Sequence, residues 1–120
     1  MKIMNTKLLF VCSCNKDRSP TAVDILADVK GFEAQCAGTH PAAPTKLSKT
    51  LTDWADYIFA MQNHHAEEVM KLSPGAKKKT HVLHVPDIFD QPELKTMLRD
   101  RLSHYFPHLS MQGNESRITS

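Results

Sequence analysis

Leu8 to Cys12 is an unbroken apolar run of strand length that ends on a thiol, and one short polar loop separates it from a helix-like pattern opening at Ser19-Pro20. An element apolar on both alternating faces must be covered on both sides, as a parallel sheet between helices provides and a half-solvated antiparallel sheet does not. Lys7–Cys12 is therefore read as a buried strand and 13–18 as a loop. Ser19 is read as the N-cap of a helix with proline in its first position, and Ala22, Val23, Ile25, Leu26 and Val29 give that helix its apolar face up to a stop at Gly31.

The same alternation recurs along the chain. Phe32–Ala37 reads as a second strand ending at Gly38, and 40–45, with Pro41 and Pro44, as a loop. The spacing of Leu47, Leu51 and Trp54 predicts a helix from about Thr45 to Trp54, with Trp54 in the core. Tyr57–Met61 is a third buried strand. Asn63 is placed as cap of a helix bearing Ala66, Val69 and Met70, which Ser73-Pro74-Gly75 ends. Val82–Val85 is the fourth strand, and 86–90 a loop. Asp90 then caps a last helix with Glu93 three residues on, whose core face is Leu94, Leu98, Leu102 and Tyr105 and which Pro107 ends. Strands that alternate with helices imply right-handed crossovers. The expected fold is α/β, a three-layer sandwich with a central four-stranded parallel sheet and helices on both faces. Residues 1–109 form one domain, and the polar, aperiodic residues 110–120 are expected to be a disordered tail.

Composition narrows the function by exclusion. A chain of 120 residues, 41% hydrophobic and 23% charged, has room for one ordinary globular core. A net charge of +2 is too slight to predict nucleic-acid or membrane partners. No stretch reaches the ~18 apolar residues of a membrane span. The N-terminus lacks a signal-peptide pattern, and three cysteines, an odd number, fit a reducing cytoplasm. Lys77-Lys78-Lys79 reads as a solvated loop and Cys36 as a core residue.

Chemistry concentrates in Cys12-Ser13-Cys14-Asn15-Lys16-Asp17-Arg18-Ser19-Pro20. In a parallel α/β sheet, ligands bind beyond the carboxyl ends of the strands, where this segment lies. Successive N–H groups in such a turn can converge on an anion, and the helix N-terminus adds about half a positive charge. Arg18 can grip two oxyanion oxygens with its planar fork. A thiol beside a phosphate cradle is a nucleophile placed against phosphorus.

Val11-Cys12-x5-Arg18-Ser19-Pro20 at the end of the first strand resembles the signature of the low-molecular-weight protein tyrosine phosphatases. Asn15, Ala37-Gly38-Thr39, and Trp54 to Met61 with His64 match further patches in order, and the likeness is closest to a short bacterial and archaeal subgroup. The resemblance implies that Cys12 attacks phosphorus, and that residues 13–18 with Ser19 bind the phosphate: Ser13, Cys14, Asn15, Lys16, Asp17 and Arg18. Arg18 stabilises the transition state, Asn15 braces the loop and Ser19 holds the thiolate. The family's acid comes from an aspartate after the fourth strand. Here the segment is Pro86-Asp87-Ile88-Phe89-Asp90, and Asp87 is assigned as the acid, with Asp90 the second candidate. Phe89 walls the substrate's aromatic ring, and His40 is placed in the same pocket.

The implied activity is hydrolysis of phosphotyrosine, on a protein or a small aryl phosphate, with no cofactor and no metal, because the nest and Arg18 supply the positive charge. Cys14 stands where the family usually has glycine, and Asp17 puts a carboxylate inside the nest. These departures motivate an alternative, a phosphate- or phosphopeptide-binding relative with weak turnover. Arsenate reduction is a further alternative, although nothing after Cys36 supplies the relay cysteines it needs.

Overall fold

The computed structural model describes residues 5–13, 18–26, 29, 31–86 and 91–107, and at 18–20 and 91 the backbone alone. Four strands, β1 (Thr6–Cys12), β2 (Phe32–Gly38), β3 (Tyr57–Ala60) and β4 (Thr80–Val82), form one sheet in the order β2-β1-β3-β4. All three pairings are parallel. Helices α1 (Arg18–Leu26), α2 (Lys49–Trp54), α3 (Asn63–Leu72) and α4 (Gln91–Ser103) connect or follow the strands. The α/β sandwich expected from the alternation is the fold observed.

The two-residue period of β1 divides the core. Leu8, Phe10 and Cys12 face α1 and α4, where they join Ala22, Leu26, Leu94, Leu98 and Leu102. Leu9 and Val11 face the other way, toward Leu47 and Val69, with Leu51 and Trp54 of α2 packed against them. Leu8, Leu9, Phe10 and Val11 are all fully buried, which is why the run carries no polar residue. Cys36 is half-buried at the margin of the first layer. Tyr57, Phe59, His81 and Tyr105 make a ring cluster on the β3–β4 side of the sheet, with centroids 4.9–6.0 Å apart.

Several element ends differ from expectation, each for a local reason. Helix α1 opens at Arg18, so Ser19 is its second residue and not its cap. Pro20 is tolerated there because the first N–H groups of a helix have no intrahelical acceptor. Helix α2 begins only at Lys49, with Ser48 as its cap accepting from Leu51 N–H at 3.2 Å. Residues 45–47 are instead drawn alongside the end of β2: Gly38 N–H donates to Thr45 C=O at 2.8 Å, and Leu47 N–H to Gly38 C=O at 2.9 Å. Strand β4 is Thr80–Val82 rather than Val82–Val85, because His84 takes a left-handed conformation with φ 57°. Leu83 and Val85 still donate their N–H groups to Ala60 and Met61 carbonyls, each at 2.8 Å. Residues 77–79 are part of a 3-10 helix, Pro74–Lys79, not a loop, and Lys79 Nζ donates to Ala55 C=O at 2.6 Å.

Burial lowers the pKa of His81 from its ordinary value of 6.5. As pH falls through about 6.5 the unfolded chain takes up this proton before the folded one, so stability is complete above that pH and declines below it. Replacing His81 with Phe is therefore expected to shrink the loss of Tm between about pH 7.5 and 5.5 relative to wild type, read by thermal melts at both pH values. An equal loss in both proteins refutes the assignment.

Candidate active site

Cys12 is the last residue of β1 and is 2% exposed. The backbone around it is pinned from two sides. Val11 C=O accepts from Met61 N–H at 3.0 Å, Cys12 C=O from Thr39 N–H at 2.9 Å, and Ser13 C=O from His40 N–H at 2.9 Å. Three successive carbonyls are thereby committed to neighbouring segments, a requirement if the loop that follows is to present N–H groups rather than oxygens to an anion. The carboxyl ends of β1, β2 and β3 meet at this point, the edge where open α/β sheets bind ligands.

Helix α1 opens at Arg18, at the far end of the loop that starts with Ser13. Its nine residues put a positive macrodipole end at Arg18. The backbone of Arg18 and Ser19 thus lies in the first helical turn, where N–H groups lack helical acceptors. Cys14, Asn15, Lys16 and Asp17, all assigned to phosphate binding, lie outside the described residues. So do the assigned acid Asp87, its competitor Asp90, and Phe89 of the substrate pocket. In the chain they fall between β4 and α4, and Val85, two residues before Asp87, is tied to Met61.

His40 is exposed beside this edge, and its backbone carries the bond to Ser13. Its ring turns back on its own loop, where Nδ1 accepts from Ala42 N–H at 3.0 Å.

One further side chain reaches this edge from α3. His65 is fully buried, and its Nε2 lies 2.8 Å from Ser13 Oγ, across 52 residues of sequence. Its other nitrogen, Nδ1, accepts from Gln62 N–H at 3.1 Å. Gln62, not Asn63, is the N-cap of α3, and His65 occupies the third helical position of a capping box. The neighbouring His64 is exposed, with its ring centroid 3.9 Å from that of His65. A polar residue three positions after the cap, just beyond a buried strand, is the signal that could have singled out His65.

No family model matches the chain. A protein-arginine-phosphatase of Geobacillus stearothermophilus is 29% identical over 104 residues, covering 67% of this chain and 70% of that protein. The structure of the YwlE arginine phosphatase from Geobacillus stearothermophilus superimposes with a TM-score of 0.68 at 26% identity, covering 89% of this chain and 96% of that one. The low molecular weight protein tyrosine phosphatase SP-PTP from Streptococcus pyogenes shares the fold with a TM-score of 0.69 at 17% identity, covering 82% and 92% of the two chains.

Proposed function

We propose that this chain, similar in sequence and fold to known arginine and low-molecular-weight tyrosine phosphatases, is a member of the low-molecular-weight protein tyrosine phosphatase family and hydrolyses phosphomonoesters through a cysteinyl-phosphate intermediate. One observation carries the reading: a thiol ends β1 at the carboxyl edge of the sheet, and α1 opens at Arg18 after a single loop. In this reading Cys12 Sγ attacks phosphorus in line. The P–S bond forms as the P–O bond to the leaving group breaks. The N–H groups of residues 13–18 and the Arg18 guanidinium stabilise the charge on the three equatorial oxygens. Asp87 gives its proton to the departing oxygen. A water then attacks the phosphorus, Asp87 takes a proton from it, and the P–S bond breaks to return the thiolate and inorganic phosphate.

A phenolate, with a pKa of ~10, leaves much better with a proton. Phosphotyrosine suits Phe89 as a wall of the pocket. A second substrate reading rests on the arginine phosphatases to which the chain is similar at 29% and 26% identity. There the scissile bond is P–N and the leaving group is a guanidine, whose conjugate acid has a pKa above ~12. That leaving group depends still more on the acid.

Turnover of phosphotyrosine and phosphoarginine peptides by wild type and Asp87→Asn tests both points. Loss of the acid is expected to lower kcat by ~10²–10⁴-fold. The loss should be larger on the arginine peptide, and much smaller on an aryl phosphate whose phenol is strongly acidic. An Asp87→Asn variant as fast as wild type on every substrate, with Asp90→Asn slow, moves the acid to Asp90. A mass shift of one phosphoryl group on the Cys12 peptide after acid quench supports the covalent intermediate. Turnover that persists without Cys12 excludes it.

A further inference from the structure

We propose that His65 is a positioning residue for the nucleophile loop, acting through Ser13. The inference rests on the phosphatase reading above and goes beyond it, because it assigns a role to a residue outside the loop and outside the acid segment. The argument starts from the two ring nitrogens. A backbone N–H can only donate, so the bond from Gln62 N–H makes Nδ1 the acceptor and leaves the ring hydrogen on Nε2. Nε2–H therefore donates to Ser13 Oγ at 2.8 Å. A neutral histidine fixed at both ends has one tautomer and one orientation. The oxygen it holds belongs to the residue directly after the nucleophile.

Three properties make this more than a buried contact. His65 is fully buried and Ser13 half-buried, so the ring end of the bond is shielded from water. Ser13 is otherwise anchored only through its main chain among the described bonds, by His40 N–H on its carbonyl. The His65 bond adds a second tether from β3's side of the site, so the first loop residue is held from β2's side and β3's side at once. Because Oγ accepts from the ring, the serine's own hydrogen is directed away from His65 and is available to an acceptor on the loop side. The arrangement takes a helix cap, α3's capping box, and uses its far nitrogen to set Ser13, the residue that follows the thiol at the end of β1.

The two roles of the ring can be separated. In His65→Asn the side-chain oxygen can stand in for Nδ1 and keep the cap, but nothing reaches Ser13. In His65→Gln the longer amide nitrogen can replace Nε2–H and keep the Ser13 bond. Loop positioning predicts that His65→Asn lowers kcat by ~10-fold or more with little change in KM, and that His65→Gln restores most of the rate even with a lower Tm. Ser13→Ala should match His65→Asn, and the double variant should be no slower than either single one, since both remove the same bond. A purely structural histidine gives the opposite pattern: activity follows Tm, Asn outperforms Gln, and the losses multiply. That pattern overturns the proposal.

Ring ¹⁵N shifts provide a readout independent of turnover. Nε2 must carry the hydrogen, and Ser13→Ala must move its resonance; protonated Nδ1 in the neutral ring overturns the proposal. Wild-type turnover that does not need Cys12 rejects the cysteinyl-phosphate mechanism instead, and the ring shifts then decide the Ser13 tether alone.

Discussion

Cys12→Ser is expected to lower turnover of any aryl phosphate by ~10⁴-fold or more while leaving the protein folded and able to bind phosphate. The size follows from the loss of the only nucleophile the mechanism uses. A serine hydroxyl is hardly ionised near neutral pH, and the mechanism assigns no base to remove its proton during attack. Cys12 is packed among Ala22, Leu26 and neighbouring apolar side chains, so a hydroxyl there costs ~1–3 kcal/mol of stability. Melting curves must therefore accompany the kinetics. Cys36→Ser is the matched control, since Cys36 is a half-buried thiol in β2 beside the same core layer. It should keep wild-type kcat. The pair of variants also separates hydrolysis from mere binding. Phosphate affinity that survives Cys12→Ser, together with wild-type turnover no faster than Cys12→Ser, selects the weak-binding alternative and ends the enzyme reading.

The site was legible in proportion to how local its causes are. Leu8 to Cys12 announces a strand buried on both faces because each residue alone reports its burial, and β1 follows directly. The thiol, the arginine and the helix start lie within one short segment, so a nucleophile beside an anion cradle can be read without knowing the fold. The element ends that differed depend on partners far along the chain. The delayed start of α2 is set by hydrogen bonds from residues 45–47 back to Gly38. The shortened β4 is set by one left-handed residue, His84, which periodicity does not register. The role of His65 is hidden in the sequence for the same reason. On a helical wheel it is one more polar residue near an N-terminus, and only the adjacency of β1 and β3 brings it 2.8 Å from Ser13. Legibility failed differently in the acid loop. Asp87 and Asp90 flank Ile88-Phe89 within four residues, and no period or spacing tells a proton donor from a helix cap.

Phe59→Ala is expected to have the largest effect on stability, a loss of ~3–5 kcal/mol from a domain whose total is on the order of 5–15 kcal/mol. Phe59 is fully buried on β3, one of the two inner strands. Its ring stacks on Phe10 at 5.6 Å and meets Tyr105 and Phe106 edge-on at 5.1 and 6.1 Å. It therefore ties both inner strands to the turn that follows α4. Removing it opens a cavity against rigid strands that cannot close over it, and the surrounding rings lose their partner as well as buried area. In a domain of this size the loss corresponds to a Tm lower by roughly 10–20 °C, which a thermal melt reads directly. Trp54→Ala, on the opposite face and only half-buried, should cost clearly less. Below the melting range, kcat per folded molecule should stay within about two-fold of wild type, because no hydrogen bond of the site uses this side chain. If instead kcat collapses while Tm hardly moves, the ring supports the placement of Met61 and the nucleophile strand rather than the core. The strand-to-strand bond from Met61 N–H to Val11 C=O is then the place to look for the transmitted strain.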